Sequence, residues 1–175
     1  MKYQFKNCRE LLVLCRKHNT QISQIAILRE MELFGKKLFF DPSQTRAAIV
    51  TCGGLCPGLN DTIRAITMVL WYRYGIRDVL GLRYGYEGLV TSLGHEPIVL
   101  TPELVEDIHQ DGGTILGSSR GPQNVSEMVD FLDEKRINML FTIGGDGTQR
   151  GALALAQAIE KFSLYPLQTS EPKTS

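Results

Sequence analysis

Twice in this chain an apolar run ends in a cluster of glycines and passes into a stretch of helical character, and that recurrence constrains the fold most. The first instance is Ala47 to Cys52, followed by Gly53-Gly54-Leu55-Cys56-Pro57-Gly58 and then Leu59 to Tyr74. The second is Met139 to Ile143, followed by Gly144-Gly145-Asp146-Gly147-Thr148 and an alanine- and leucine-rich run. Short apolar runs closed by turn residues read as strands buried on both faces. Strands alternating with helices predict an α/β architecture with a largely parallel sheet. Ligands of such sheets sit at the carboxyl ends of the strands.

The remaining pattern fills in that scheme. Leu59 to Tyr74 reads as a helix with Asn60 or Asp61 near its start and Gly75 at its end. Val79 to Leu82 reads as the next strand, leading into the glycine- and tyrosine-rich RYGYEGL. Pro102 to Gln110 is predicted helical, with Thr101 as N-cap and Gly112-Gly113 as the stop. Thr114 to Leu116 is expected to be a short strand opening into Gly117-Ser118-Ser119-Arg120-Gly121-Pro122, and Ser126 to Arg136 an amphipathic helix. Three loops, Gly53 to Gly58, Gly117 to Gly121 and Gly144 to Thr148, are thus expected at strand carboxyl ends.

The two ends of the chain read differently. Residues 1–43 are expected to form a helical N-terminal arm, with amphipathic stretches from Cys8 to His18 and from Ile25 to Phe40, interrupted at Gly35. Asp41-Pro42-Ser43 is a turn signal closing it. Residues 44–161 form the α/β domain, ending in a helix from Thr148 to Lys161. Residues 162–175, FSLYPLQTSEPKTS, have the composition of a disordered tail.

A chain of 175 residues is long enough for one domain with a sizeable core. Nineteen basic and nineteen acidic residues balance, which gives no electrostatic case for a nucleic-acid or membrane-surface partner. No apolar run approaches the length that spans a bilayer. Leu11 to Leu14, flanked by Arg9, Glu10, Arg16 and Lys17, is too short for the core of a signal peptide. Cys8 and Cys15 are seven apart. Cys52 and Cys56 have CxxxC spacing without a nearby histidine, which favours reduced cysteines in a cytosolic domain over a zinc site.

The glycine loops suggest phosphate chemistry. Glycines let backbone N–H groups approach a phosphate, and a helix N-terminus behind them favours its charge. Asp146 would repel phosphate unless a cation lay between them; Mg²⁺ fits, because it commonly binds one or two carboxylates together with phosphate oxygens. Arg120, inside a Gly/Ser turn, is placed to pair bidentately with phosphate oxygens. Taken singly, Asp146 could serve only as a helix cap, and Arg120 as a surface arginine. Two common phosphate motifs fail. Gly53 and Gly58 have Walker-A spacing, but Leu59-Asn60 follows where Lys-Ser/Thr belongs. A dinucleotide fingerprint around Gly145 would need glycine at Arg150.

Four motifs in order resemble the phosphofructokinase family, in the branch shared by plants and some bacteria. They are Thr51 to Asn60 (TCGGLCPGLN), Tyr84 to Gly88 (YGYEG), Gly112 to Gly121 (GGTILGSSRG) and Ile143 to Thr148 (IGGDGT). The resemblance implies an α/β fold with a phosphofructokinase-like open parallel sheet flanked by helices, incomplete here and preceded by the helical arm. It implies that Gly53, Arg120, Gly121, Gly145, Asp146, Gly147 and Thr148 line the phosphates of ATP, with Asp146 serving Mg²⁺. The implied reaction is that of a glycolytic kinase, transferring the γ-phosphoryl group to fructose 6-phosphate in a cytoplasmic homo-oligomer. Pyrophosphate users of the family typically have Asp where this chain has Gly147, so Gly147 favours ATP.

One departure bears on activity. The family continues beyond the last helix with a strand and the signature Thr-Ile-Asp-Asn-Asp, whose first Asp is the general base; that signature is absent from this sequence. No catalytic residue is therefore assigned, and most of the fructose 6-phosphate site is missing. Loss of a general base costs about 10²–10⁴ in rate. Loss of acceptor positioning removes up to about 7–11 kcal/mol. These 175 residues alone are expected to be inactive, as a truncated product, a fragment or one part of a split protein. The alternatives are a pyrophosphate-dependent enzyme, or a non-catalytic nucleotide-binding partner subunit using the arm from Cys8 to Phe40 as a contact.

Overall fold

The computed structural model describes residues 10–15 and 41–164, with side chains described for 41–161. Among these residues the strands are β1 (Glu10–Cys15), β2 (Arg46–Thr51), β3 (Asp78–Leu82), β4 (Ile98–Val99) and β5 (Met139–Gly144). They form one sheet in the order β1-β5-β2-β3-β4. Its three central strands are parallel, with Ala47 opposite Val79 on one side and Met139 on the other. Both edge strands, β1 and β4, run antiparallel to their neighbours. The expected open parallel sheet flanked by helices is therefore present, with antiparallel edges.

Every residue of β5 is buried, as are all of β2 after Arg46. Alternating side chains split the core in two. On one face Ala47, Ile49, Val79 and Phe141 pack with Leu59 and Ile63 of α1 (Leu59–Met68) and Val105 of α2 (Pro102–Val105). On the other, Ala48, Val50, Leu82 and Leu140 pack with Met128 and Leu132 of α3 (Val125–Glu134) and with Ala152 and Leu155 of α4 (Asp146–Leu164). Each large aliphatic side chain fully buried this way contributes about 1.5–3 kcal/mol.

Several expected elements change form. Glu10–Cys15 is a strand, where helix was expected from Cys8 to His18; a short apolar run looks the same in either state, and the open edge of β5 provides a ladder for it. The rest of that arm lies outside the described residues. Thr114–Leu116 is not a strand: the Gly117 amide donates to the Thr114 carbonyl, and the Thr114 hydroxyl accepts from the Leu116 amide, which closes a turn. Pro102–Gln110 is interrupted, α2 giving way to a separate 3₁₀ turn at Ile108–Gln110, although Thr101 caps α2 by accepting from the Leu104 amide as expected.

The helix after β2 continues past α1 as a π-helical turn, Val69–Arg73, before Gly75 at φ 71°. Its N-cap is Gly58, and Asn60 and Asp61 lie in its first turn, near its start as expected. α4 begins at Asp146, two residues earlier than expected, and reaches Leu164. The tail expected from Phe162 lies, from residue 165, outside the described residues. Among the described residues, no helix is long and apolar enough to cross a membrane.

Candidate functional site

The turn from β5 into α4 is built on a close approach. A Cβ on Gly144 would lie 2.7 Å from the Cys52 carbonyl and closer still to the Thr148 hydroxyl, so no larger residue fits without movement. The Gly145 carbonyl accepts the Thr148 amide at 2.9 Å and the Gln149 amide at 3.1 Å. The amides of Asp146 and Gly147, at the open start of the helix, have no partner among the described residues. Gly145, Asp146 and Gly147 are exposed, while Thr148 is buried.

Tyr86 locks this turn from beneath. Its hydroxyl donates to the Thr148 carbonyl at 2.7 Å. Its ring lies against α4, where a Cβ on Gly151 would sit 2.5 Å from Cε2. Burial, reinforced by the neighbouring Cys52, holds its ionisation well above the ordinary phenol range, so it stays a donor throughout the physiological range.

The other two loops form one hydrogen-bonded unit with this turn. The Cys52 amide donates to the Ile143 carbonyl at 2.9 Å, and the Gly53 amide to the Ser119 carbonyl at 3.0 Å. The Ser118 hydroxyl donates back to the Gly53 carbonyl at 2.5 Å. Thr51 reaches across as well, its hydroxyl donating to the Gly117 carbonyl at 2.8 Å and bonding the Thr114 hydroxyl at 3.0 Å. Buried Asn60 clamps the same segment from α1, donating to the Asp111 carbonyl at 3.1 Å and accepting the Ile115 amide at 2.9 Å.

The residues singled out from sequence are thus distributed around one end of the sheet. Gly53 is in direct contact with Ser119, next to Arg120 and Gly121; Gly145 to Thr148 follow β5 alongside. Arg120 is exposed, and neither it nor Asp146 is in a hydrogen bond or ion pair among the described residues. One refinement concerns Gly53. Its amide is already committed to Ser119, so it can offer clearance to a ligand but no donor. The Gly117 to Gly121 loop follows a turn, not the strand expected before it.

The glycines sort by what demands them. Gly144 and Gly151 are required by packing, as above. Gly145 and Gly147 are not: a Cβ on Gly145 meets nothing within 4 Å, one on Gly147 only the tip of Arg150 at 4.0 Å, and neither has a positive φ. A glycine inside a helix costs about 1 kcal/mol relative to alanine, so Gly147 is a residue the fold itself does not call for. Free amides, open space and an unpaired carboxylate at the positive end of a helix suit phosphate oxygens held with a cation. Among the described residues no group of three or more His, Cys, Asp or Glu could hold a metal by itself, and Cys52 and Cys56 form no disulfide. A Mg²⁺ here would therefore depend on phosphate oxygens and water besides Asp146, which suits that ion.

A family model described as Phosphofructokinase matches residues 46–169. The chain belongs to the phosphofructokinase family. It is 50% identical over 139 residues to an ATP-dependent 6-phosphofructokinase of Borreliella burgdorferi, covering 79% of this chain and 31% of that relative. It is also 50% identical over 147 residues to an ATP-dependent 6-phosphofructokinase of Entamoeba histolytica, covering 83% and 34%. The chain spans about one third of the length of these relatives. Among solved structures, Pichia pastoris phosphofructokinase in the T-state matches with a TM-score of 0.57 at 26% identity, over 78% of this chain and 14% of that one. A pyrophosphate-dependent phosphofructokinase from Marinobacter aquaeolei matches in fold with a TM-score of 0.60 at 18% identity, over 67% and 30%.

Phosphofructokinase motif residues whose roles sequence reasoning did not assign are Tyr86, Asn60, Thr51 and Ser118, each of which ties one motif to another. The only signal for them was their position inside the four motifs. Their partners lie 51 to 66 residues away, beyond any local pattern.

Proposed function

We propose that this chain supplies the nucleotide site of an ATP-dependent 6-phosphofructokinase, a kinase of glycolysis that phosphorylates fructose 6-phosphate. The observation that carries this reading is the pair Gly145 and Gly147, glycines at a helix start that packing does not require, with the Asp146 and Gly147 amides and the Asp146 carboxylate unpaired among the described residues. In this reading the Asp146 and Gly147 amides bind phosphate oxygens, and Arg120 pairs with them from the facing loop. Gly53, Gly121 and Gly145 keep the approach open, and buried Thr148 anchors the turn. Asp146 would hold Mg²⁺, which supplies charge neutralisation for phosphoryl transfer.

Gly147 sets the donor. A carboxylate there would crowd and repel the α-phosphate of ATP, so its absence favours ATP over pyrophosphate. The general base is not among these residues, and the acceptor site lies mostly beyond them. A cytoplasmic, homo-oligomeric setting follows from the same family reading. In a coupled assay with fructose 6-phosphate, the 175 residues alone give no turnover; robust turnover would contradict this division of labour. In direct binding with Mg²⁺, ATP outcompetes pyrophosphate. Preferential binding of pyrophosphate would refute the role given to Gly147.

A further inference from the structure

Tyr84 takes a backbone conformation that its side chain disfavours. It lies at φ 58° and ψ 45°, in the left-handed region, just after β3 and before Gly85 at φ 63°. Glycine enters that region freely, whereas a bulky side chain there is an outlier. The backbone bond at this corner, from the Tyr84 amide to the Leu116 carbonyl at 2.8 Å, could be made equally well by a glycine. What the tyrosine adds is its ring. That ring lies against the loop that carries Arg120: a Cβ on Gly117 would sit 2.8 Å from Cδ1 and 3.0 Å from Cε1. The next residue continues the contact, since a Cβ on Gly85 would meet the Ser119 hydroxyl at 2.8 Å and the Ser119 amide at 3.1 Å. The ring is itself held in place. The Arg83 guanidinium stands over it, 5.0 Å from the centroid, and donates to its hydroxyl at 3.0 Å, while the His95 ring packs at 4.7 Å.

From these contacts we infer that Tyr84 is a positioning residue for the phosphoryl donor, acting through Arg120. The segment Gly117 to Ser119 is gripped by Gly53, through its bonds to Ser118 and Ser119, and braced at its root by the Tyr84 ring. Arg120 follows directly. It is exposed and makes no hydrogen bond or ion pair among the described residues, so the backbone of the loop sets where its guanidinium can reach. A guanidinium pairs bidentately with phosphate oxygens only in a narrow geometry, which makes that placement matter. Strain such as that at Tyr84 persists where surrounding contacts over-determine it, as Arg83, His95, Leu116 and Gly117 do here. The role rests on Arg120 meeting phosphate, as proposed for the nucleotide site.

The test is a double-mutant cycle in the full 175-residue chain, read by calorimetric titration with ATP in the presence of Mg²⁺. Tyr84→Asn removes the ring but leaves a side chain that tolerates the left-handed region, and Tyr84→Phe keeps the ring. Arg120→Ala should weaken binding by about tenfold or more and Tyr84→Asn by about fivefold or more, while the conservative Tyr84→Phe stays within about twofold of the unmodified chain. In the Arg120→Ala background, Tyr84→Asn should then change affinity by less than about twofold, because the group it positions is gone. A merely structural tyrosine would weaken binding equally in both backgrounds. That result would overturn the inference, as would no loss in Tyr84→Asn or an equal loss in Tyr84→Phe. If Tyr84→Asn does not fold, Tyr84→Gly takes its place in the cycle; failure of both to fold would show a structural role and overturn the inference. No ATP binding by the unmodified chain, or none lost in Arg120→Ala, would remove the phosphate role of Arg120 itself, and this inference with it.

Discussion

The turn after β5 and the loop from Asp111 to Gly121 meet at the same end of the sheet but are held there by different means. The first is continuous with its strand and helix: Gly144 wedges against Cys52, Tyr86 bonds Thr148, and the chain has little freedom to go elsewhere. The second follows no strand and is hung from distant side chains, Asn60 on one side, Thr51 and the Gly53–Ser118 pair on the other. A turn fixed by its own backbone can present free amides to a ligand without further support. A loop fixed by side-chain hooks carries its exposed Arg120 at the end of a longer chain of contacts, and is the part more easily adjusted or disrupted.

That contrast separates glycines and polar groups that serve the ligand from those that serve the fold. The largest expected effect is on ligand alone. Gly147→Asp should weaken ATP binding on the order of 100-fold, since like charges placed together cost several kcal/mol. Its melting temperature should hold or rise slightly, because Asp suits a helix start. A large loss of stability would erase the distinction. Gly144→Ala should do the reverse, destabilising the fold by about 1–3 kcal/mol through the forced contact with Cys52 and Thr148; unfolding by denaturant measures it.

Asn60→Ala should cost about 1–3 kcal/mol, because it strands the Asp111 carbonyl and Ile115 amide. Hydrogen exchange should rise across residues 111–121 while the turn after β5 stays protected. Equal loosening of both regions would show that they are not independently held. Tyr86→Phe is the mildest, removing one buried hydrogen bond worth about 1 kcal/mol. Its exchange change should be confined to the first turns of α4.

The parts legible in the sequence were those whose cause is local. β2, β3 and β5 are apolar runs because both faces of a parallel strand are covered, and the glycine clusters after β2 and β5 mark real turns. Glu10–Cys15 was unreadable for a complementary reason: ELLVLC suits a buried strand or a helix equally, and the deciding partner lies more than a hundred residues away in β5. The turn at Thr114–Leu116 reads as β-branched strand sequence, but hydroxyl bonds to its own backbone and to Thr51 win. Gly53 shows a limit of motif reading at the site. The motif places it at the loop but does not tell that its amide is already donated to Ser119, which leaves it clearance to offer and no donor.

The most direct test of the site is a calorimetric titration of the 175-residue chain with ATP, with and without Mg²⁺, beside Asp146→Asn. Binding should require Mg²⁺ and weaken by about tenfold or more in the variant, whose melting temperature should fall only slightly because Asp146 is exposed and unpaired among the described residues and loses only its charge at the helix start. ATP binding of equal strength without Mg²⁺, or undiminished in Asp146→Asn, would contradict the assignment of this turn as a Mg²⁺-nucleotide site.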